Sequence, residues 1–417
     1  MFHPRVLLGT TVAIVLIALV VAYNSFVSQR ALAQQDAHEI LASFSALTEQ
    51  VRTENMDGAA ESARTISSKA DSLEALTSSG LWNVAAVLPG IGDDVACLRG
   101  LSSTLGTLAD EVVAPLTTVA QQQGSIDIFS EEGINLHLLN PFLQTLAGAE
   151  ATTATLSTSL DQLPTPHDEQ LAQAVERTRD TVSQLRGFAT SASILMPHTN
   201  ALLGGEETRN YLVVVLDCDH LRSVGGTPAC EAILSVSHGT FILKSFESSG
   251  SGLETLPYGE TATITDEEES LFGAPLATSP DEMPRVPDAS RAAELLADAY
   301  TAATDNAVDG VILIDPYGIQ SLMNATGSVN VDIPNSSESA KLDGQTTAAY
   351  MLHQLARDVS SYAQPEAFAA AANATLGGFF DHLPDAHIDE VASAIGTAVS
   401  QGRMSLWLAN DDEQDLM

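Results

Sequence analysis

The chain has 417 residues, enough for more than one domain and a sizeable core. Its formal net charge is -37, and its lysines are confined to Lys69, Lys244 and Lys341. This balance excludes nucleic-acid binding through a basic face, because counterion release needs clustered cations, and it disfavours adsorption to anionic lipid.

Val6 to Tyr23 is apolar and carries no charge. At about 1.5 Å per residue such a helix just spans a bilayer core. Arg5 and the amino terminus precede it, which predicts a cytoplasmic N-terminus and an extracytoplasmic bulk. A cleaved signal peptide is the competing reading, because Ala31-Leu32-Ala33 has a small-x-small form. That site lies well beyond the apolar run, and the run is long for a signal peptide. Residues 1–33 are therefore predicted to be a cytoplasmic tip and a transmembrane anchor.

Gln34 to Ser79 has helical periodicity, with Ala37, Ile40, Leu41, Phe44, Leu47 and Val51 continued by Ala59, Ala63, Ile66, Ala70, Leu73 and Leu76. Leu88-Pro89-Gly90-Ile91-Gly92 breaks the pattern. Asp93 and Asp94 then open a helix whose stripe runs from Val95 to Val119, with carboxylates at the favourable end of the dipole. Leu136 to Leu160 and His167 to Leu195 predict two more helices, divided by Pro164-Thr165-Pro166. Residues 34–200 thus read as an extracytoplasmic helical bundle or stalk. His137 and His167 stand alone and read as surface or capping residues.

After Gly204-Gly205 the period changes. Tyr211 to Leu216 is a buried strand that runs into a polar loop ending in Gly225-Gly226. Glu231 to Ser237 and Thr240 to Phe246 form a hairpin through Ser237-His238-Gly239. Ser248 to Asp288 reads as a loop or flap. Its run Asp266-Glu267-Glu268-Glu269 is either a solvated stretch or a cation site. Ala289 to Thr304 is a helix, and Gly310 to Asp315 is an apolar strand of central type. Asp315 caps the next helix, with Pro316 at its first position and Ala325 near its end. Ser328 to Ile333 is a strand, Gly344 to Ser360 a helix, two helices follow, and Arg403 to Leu408 is strand-like. The fold class is α+β, with an α/β sandwich over residues 201–417.

Asp217, Asp219, His220 and Arg222 crowd the loop after a central strand, where α/β folds commonly place ligands. The catalytic candidates are Arg222, Asp217 and Asp219. The ligand-binding candidates are Arg222, Gly225, Gly226, His220 and Arg357. Asp217 and Asp219 could share a divalent metal through oxygen ligands. Alternatively Arg222 pairs with an aspartate and holds the loop, and the glycines permit a tight return. Cys218 and Cys230 flank this loop. Outside the cytoplasm they could form a disulfide, and otherwise they are two small buried residues. Asp343, Arg357 and Asp358 form a second group, with Asp343 as a cap. No Gly-x-Ser-x-Gly elbow, P-loop or zinc motif occurs, so the residues fix no reaction.

Four segments together resemble the bacterial family known as domain of unknown function 4012. They are Leu88 to Val95, Leu202 to Leu212, Leu221 to Gly226, and Val308 to Pro316 leading to Ala325–Val331. The resemblance implies a membrane-anchored envelope protein of actinobacterial type and no particular activity. In the family loop, Arg222, Gly225 and Gly226 match, whereas Asp217 replaces an asparagine, His220 a glutamate and Val224 a threonine. Relatives commonly continue into a further β-rich segment, so the resemblance implies a short or truncated member. Asp309 to Asn330, followed by Leu342-Asp343-Gly344, also resembles the LytR-CpsA-Psr glycopolymer transferases. That likeness implies a similar α/β core, transfer from a polyprenyl-pyrophosphate carrier, arginines on the phosphates and a carboxylate-bound magnesium. The arginines available in this half are Arg209, Arg222, Arg285, Arg291, Arg357 and Arg403. The expectation is an accessory envelope protein that binds a glycan, a lipid-linked polymer or an envelope protein; the alternative is such a phosphotransferase.

Overall fold

The computed structural model describes residues 55–78, 80–86, 92–123, 129–130, 133–244, 246–248, 261–332, 339–386 and 388–415, with scattered positions between 32 and 50. The expected anchor, Val6 to Tyr23, lies outside the described residues. Among the described residues no helix is long and apolar enough to cross a membrane. The chain forms two compact units, Met1–Ile126 with Asn140–Pro197, and Asp127–Leu139 with His198–Met417.

The first unit is helical. Helix α1, Met56–Thr77, starts at Asn55, whose side chain accepts from the Gly58 N–H. Helix α2, Gly92–Leu108, passes through a π turn, Ala109–Val113, into α3, Ala114–Gln123. The small stripe of α1 is buried and lets α2 come close: a Cβ on Gly106 would lie 3.1 Å from that of Ala70. At the same level the Ser102 hydroxyl donates to the Ala70 carbonyl at 2.9 Å. The stretch expected as one helix from Leu136 to Leu160 is broken at Ala149 into α4, Leu136–Gly148, and α5, Glu150–Asp161. Helix α6, Glu169–Leu195, runs beside α5, and Arg179 on it donates to the Leu160 carbonyl at 2.8 Å.

The second unit is built on a mixed sheet. Its strands are β3, Arg209–Asp217; β4, Thr227–Ser237; β5, Thr240–Leu243; β6, Glu247–Ser248; β7, Gly310–Ile314; and β10, Met404–Leu408. Two short hairpins lie off the sheet: β1, Phe129–Ser130, with β2, Gly133–Ile134, and β8, Val329–Asp332, with β9, Ser339–Leu342. The order is β10-β7-β3-β4-β5, with β6 also on β4; β3 and β7 are parallel and the other neighbours antiparallel. Alternation along β3 sends Tyr211, Val213 and Val215 into one core and Leu212, Val214 and Leu216 into another. That is why its sequence is apolar without a break.

Further helices of this unit are α7, Asp266–Phe272; α8, Ala289–Thr304; α9, Pro316–Thr326; α10, Gln364–Asp381; and α11, Ile388–Ser400. The first core is covered by α9, α10 and α11, and the second by α8 and the segment around Leu276 and Met283. The sandwich expected for this half is thus a sheet with helices on both faces.

Three local expectations are corrected. The acidic run is not a loop but the first turn of α7. Thr265 and Glu268 form a capping box there, and carboxylates suit that end of the dipole. Strand β4 begins at Thr227, four residues earlier than the pattern suggested, because a bulge between Val215 and Leu216 re-registers it against β3. The helix expected from Gly344 to Ser360 is reduced to residues 347–358 and contains a π turn, Tyr350–Gln354.

Candidate functional site

Parallel pairing of β3 with β7 puts Val215 opposite Ile314, so Asp217 and Asp315 leave the same edge of the sheet. Such an edge, at the carboxyl ends of parallel strands, is where open α/β sheets place ligands. Three segments meet there: the loop after β3, the start of α9 and the start of β10.

The loop is tied down by its own residues. Asp217 accepts the Asp219 N–H at 2.9 Å through one carboxylate oxygen, and the other lies 3.2 Å from His220 Nδ1. The structure therefore gathers Asp217, Asp219 and His220, with Asp219 and His220 exposed. Arg222 turns away from them. Its Nε donates to the Asp281 carbonyl at 3.0 Å, and Nη2 lies 3.4 Å from Glu282. Ser223 and Val224 also bond to residues 284–285, so the loop is stitched to that segment. The alternative in which Arg222 holds the loop is the observed one, with Glu282 as partner in place of an aspartate. Gly226 is required by the tight return, since a Cβ there would overlap the Asp217 carbonyl, and Gly225 has φ +118°. Among the described residues no group of three or more His, Cys, Asp or Glu is arranged to hold a metal ion.

The disulfide considered between Cys218 and Cys230 is not formed, and both are free thiols. Cys230 stands in register with Val215 and is buried in the same core. Cys218 sits in the turn beyond Asp217. Burial, then the nearby carboxylates of Asp315 and Asp217, push its thiol up to about 11. Arg357 lies on the short helix Leu355–Asp358 and is exposed, with Asp358 3.4 Å from its Nε. Asp343 caps a turn: it accepts from the Gln345 and Thr346 N–H groups and the Thr346 hydroxyl. Those bonds, Gln345 first, hold its carboxyl below the usual range.

At the best-built part of the edge the Asp315 cap was legible in the sequence, but its pairing with Arg403 was not. Asp315 is buried, accepts the Gly318 N–H at 2.8 Å, and pairs with Arg403 Nη1 at 2.9 Å. The guanidinium of Arg403 lies 4.7 Å from the Tyr317 ring centroid, a cation–π stack. Its charge is stabilised first by the hydrogen bond to Asp315. Asp315 and Arg403 are 88 residues apart, and no motif links them. At the opposite end of β3, Arg209 joins Glu413 at 2.7 Å and Asp309 at 3.4 Å. Tyr211 donates to the Leu202 carbonyl beside it, and burial pushes its phenol up to about 12.

These features define a helix-covered mixed sheet with a self-braced glycine loop at the carboxyl ends of its two parallel strands. Residues 206–355 match the model of a family described as protein of unknown function (DUF4012). The match takes in β3, the glycine loop, β7 and the Asp315 cap, and ends before Arg403. No curated protein and no solved structure matches the chain.

Proposed function

We propose that this is a membrane-anchored, extracytoplasmic envelope protein whose second unit binds an envelope partner without catalysing a reaction. The partner is an envelope glycan, a lipid-linked polymer or another envelope protein. The uncharged run Val6 to Tyr23 supports the anchor. One observation supports a binding role over transfer chemistry: of the six arginines of residues 201–417, Arg209, Arg222, Arg285, Arg291 and Arg403 are already paired with carboxylates, and Arg357 stands exposed beside Asp358, away from the sheet edge in sequence. A pyrophosphate needs arginine donors that are free to form bidentate bonds. Here Arg209 and Arg403 brace strand ends, and Arg222 braces the glycine loop.

The test uses the full chain in detergent with a polyprenyl-pyrophosphate analogue, with and without magnesium. Binding is expected to show no magnesium dependence and to be the same in Arg222→Ala. Magnesium-dependent binding that is lost in Arg222→Ala would establish the phosphotransferase reading instead. For the anchor, the chain is expected to stay with membranes through alkaline carbonate and to be digested by protease outside intact cells. Release by carbonate, or protection from the protease, would refute it.

A further inference from the structure

The mixed sheet ends in two edge strands, β5 and β10. An edge strand offers N–H and C=O groups to any chain that can lie beside it, and folds blunt such edges with charge, proline or a covering element. Edge β5 is blunted. Exposed Lys244 follows it, and the Ile134 N–H of β2 already donates at 2.9 Å to the Gly239 carbonyl before it. Edge β10, Met404-Ser405-Leu406-Trp407-Leu408, carries no charge and no proline.

The register shows which groups of β10 are open. The Asp315 N–H donates to the Arg403 carbonyl, and the Ala409 N–H to the Asp309 carbonyl. Bonded pairs alternate along an antiparallel ladder, so Ser405 and Trp407 bond inward to β7, whereas Met404, Leu406 and Leu408 direct their backbone groups outward. The Leu408 N–H is taken at 2.7 Å by the Gln414 side chain, from the short helix Asp411–Gln414. The Met404 and Leu406 N–H groups have no hydrogen-bond partner among the described residues. Residues 404–407 are only half-buried, although Met404 and Leu406 pack on one core and Trp407 on the other. Both cores therefore reach the open edge.

These open groups are self-complementary. A second copy of β10, laid antiparallel with its Leu406 opposite Met404, sets outward groups only against outward groups, and both symmetry-related pairs close their N–H···O bonds. Met404 then faces Leu406 on one side of the sheet. On the other side Ser405 meets Ser405 at the two-fold axis, and Arg403 lies opposite Trp407, a cation beside an aromatic ring. The neighbouring registers fail. Leu406 opposite Leu406 needs the Leu408 N–H that Gln414 holds, and Met404 opposite Met404 needs an extended Gly402, whose φ is +66°. A parallel copy in register sets Arg403 beside Arg403.

We propose that the protein forms a two-fold dimer through β10, with one sheet running through both copies. The contact is isologous and closes on itself. It holds whatever partner the second unit binds.

The test uses the full chain in detergent. Sedimentation is expected to shift from monomer to dimer between about 1 and 100 µM, as suits a small interface. Leu406→Pro deletes an outward N–H and spares the β7 ladder, since proline is tolerated on the open side of an edge strand. Ser405→Lys sets two ammonium groups across the axis. Each is expected to weaken association at least about tenfold with an unchanged far-ultraviolet spectrum. The register is read by cross-linking in a Cys218→Ser background, because Cys97 and Cys230 are buried. Ser405→Cys is expected to form a disulfide-linked dimer on mild oxidation, the Cα atoms of such a pair being about 4.5 Å apart. Met404→Cys is expected to stay unlinked, because its symmetry mate is a diagonal neighbour at about 7–8 Å. A monomer throughout, which would leave the edge to a strand of another protein, would overturn the proposal. So would a dimer that both variants leave intact, or equal cross-linking at positions 404 and 405.

Discussion

The pair Asp315–Arg403 invites the sharpest test, because one side chain serves two structures. Asp315→Ala removes the cap of α9, worth about 1 kcal/mol. It also removes the partner of Arg403, a charge-assisted bond of about 1.5–3 kcal/mol when fully formed. The side chain of Arg403 is 39% exposed, so water replaces part of that loss, and about 1–2 kcal/mol is the discounted share. The sum is about 2–3 kcal/mol. Trp407 reports on this unit because it lies on β10, which pairs with β7 next to Asp315. Urea unfolding would be followed by Trp407 fluorescence in a Trp82→Phe background, so that the signal comes from this unit alone. With a slope of about 2 kcal/mol per molar, the midpoint falls by about 1 M. Asp315→Asn keeps an acceptor for the Gly318 N–H and is expected to lose about half as much. A shift below about 0.3 M for Asp315→Ala, or an Asn variant as damaged as the Ala variant, would refute the two-part account.

Other expectations use the same assay. Gly226→Ala places a Cβ on the Asp217 carbonyl and is expected to destabilise the unit by at least about 2 kcal/mol. Gly377→Ala is the contrast: it lies inside α10 with nothing within 4 Å of the added Cβ, and should stabilise by about 0.5–1 kcal/mol. Arg291 holds the Glu268 carboxyl below its ordinary value, so Glu268 contributes stability that is present above the unfolded carboxylate range. That contribution is lost as the pH falls below about 4.3 and through the lower folded value. Glu268→Gln is expected to flatten this part of the acid profile. An unchanged slope would show that the Arg291 pair contributes nothing.

The strands of the second unit were legible because their signal is local. An unbroken apolar run from Tyr211 to Leu216 marks a strand buried on both faces, and β3 is buried on both faces. The Asp315-Pro316 start of α9 was legible for the same reason, since a cap is read from neighbouring residues. Where local signals competed, the reading failed. Thr265 and Glu268 form a capping box, yet the density of carboxylates around them suggested a solvated loop. The charge of each acidic residue was legible, but not its partner.

The sequence by itself determined the composition of each half, the apolar strands, the helix starts, the glycine return and the uncharged run near the N-terminus. Each depends on residues within a few positions of one another, whose spacing sets which face is apolar or which backbone group is capped. Only the tertiary structure decided that Arg403 meets Asp315, that Arg222 meets Glu282 in place of the aspartates beside it, and that Cys218 stands apart from Cys230. It also decided which backbone groups of β10 face outward. Those outcomes depend on which elements become neighbours and in what register. Burial patterns specify the face that must be covered; packing of the whole chain selects what covers it.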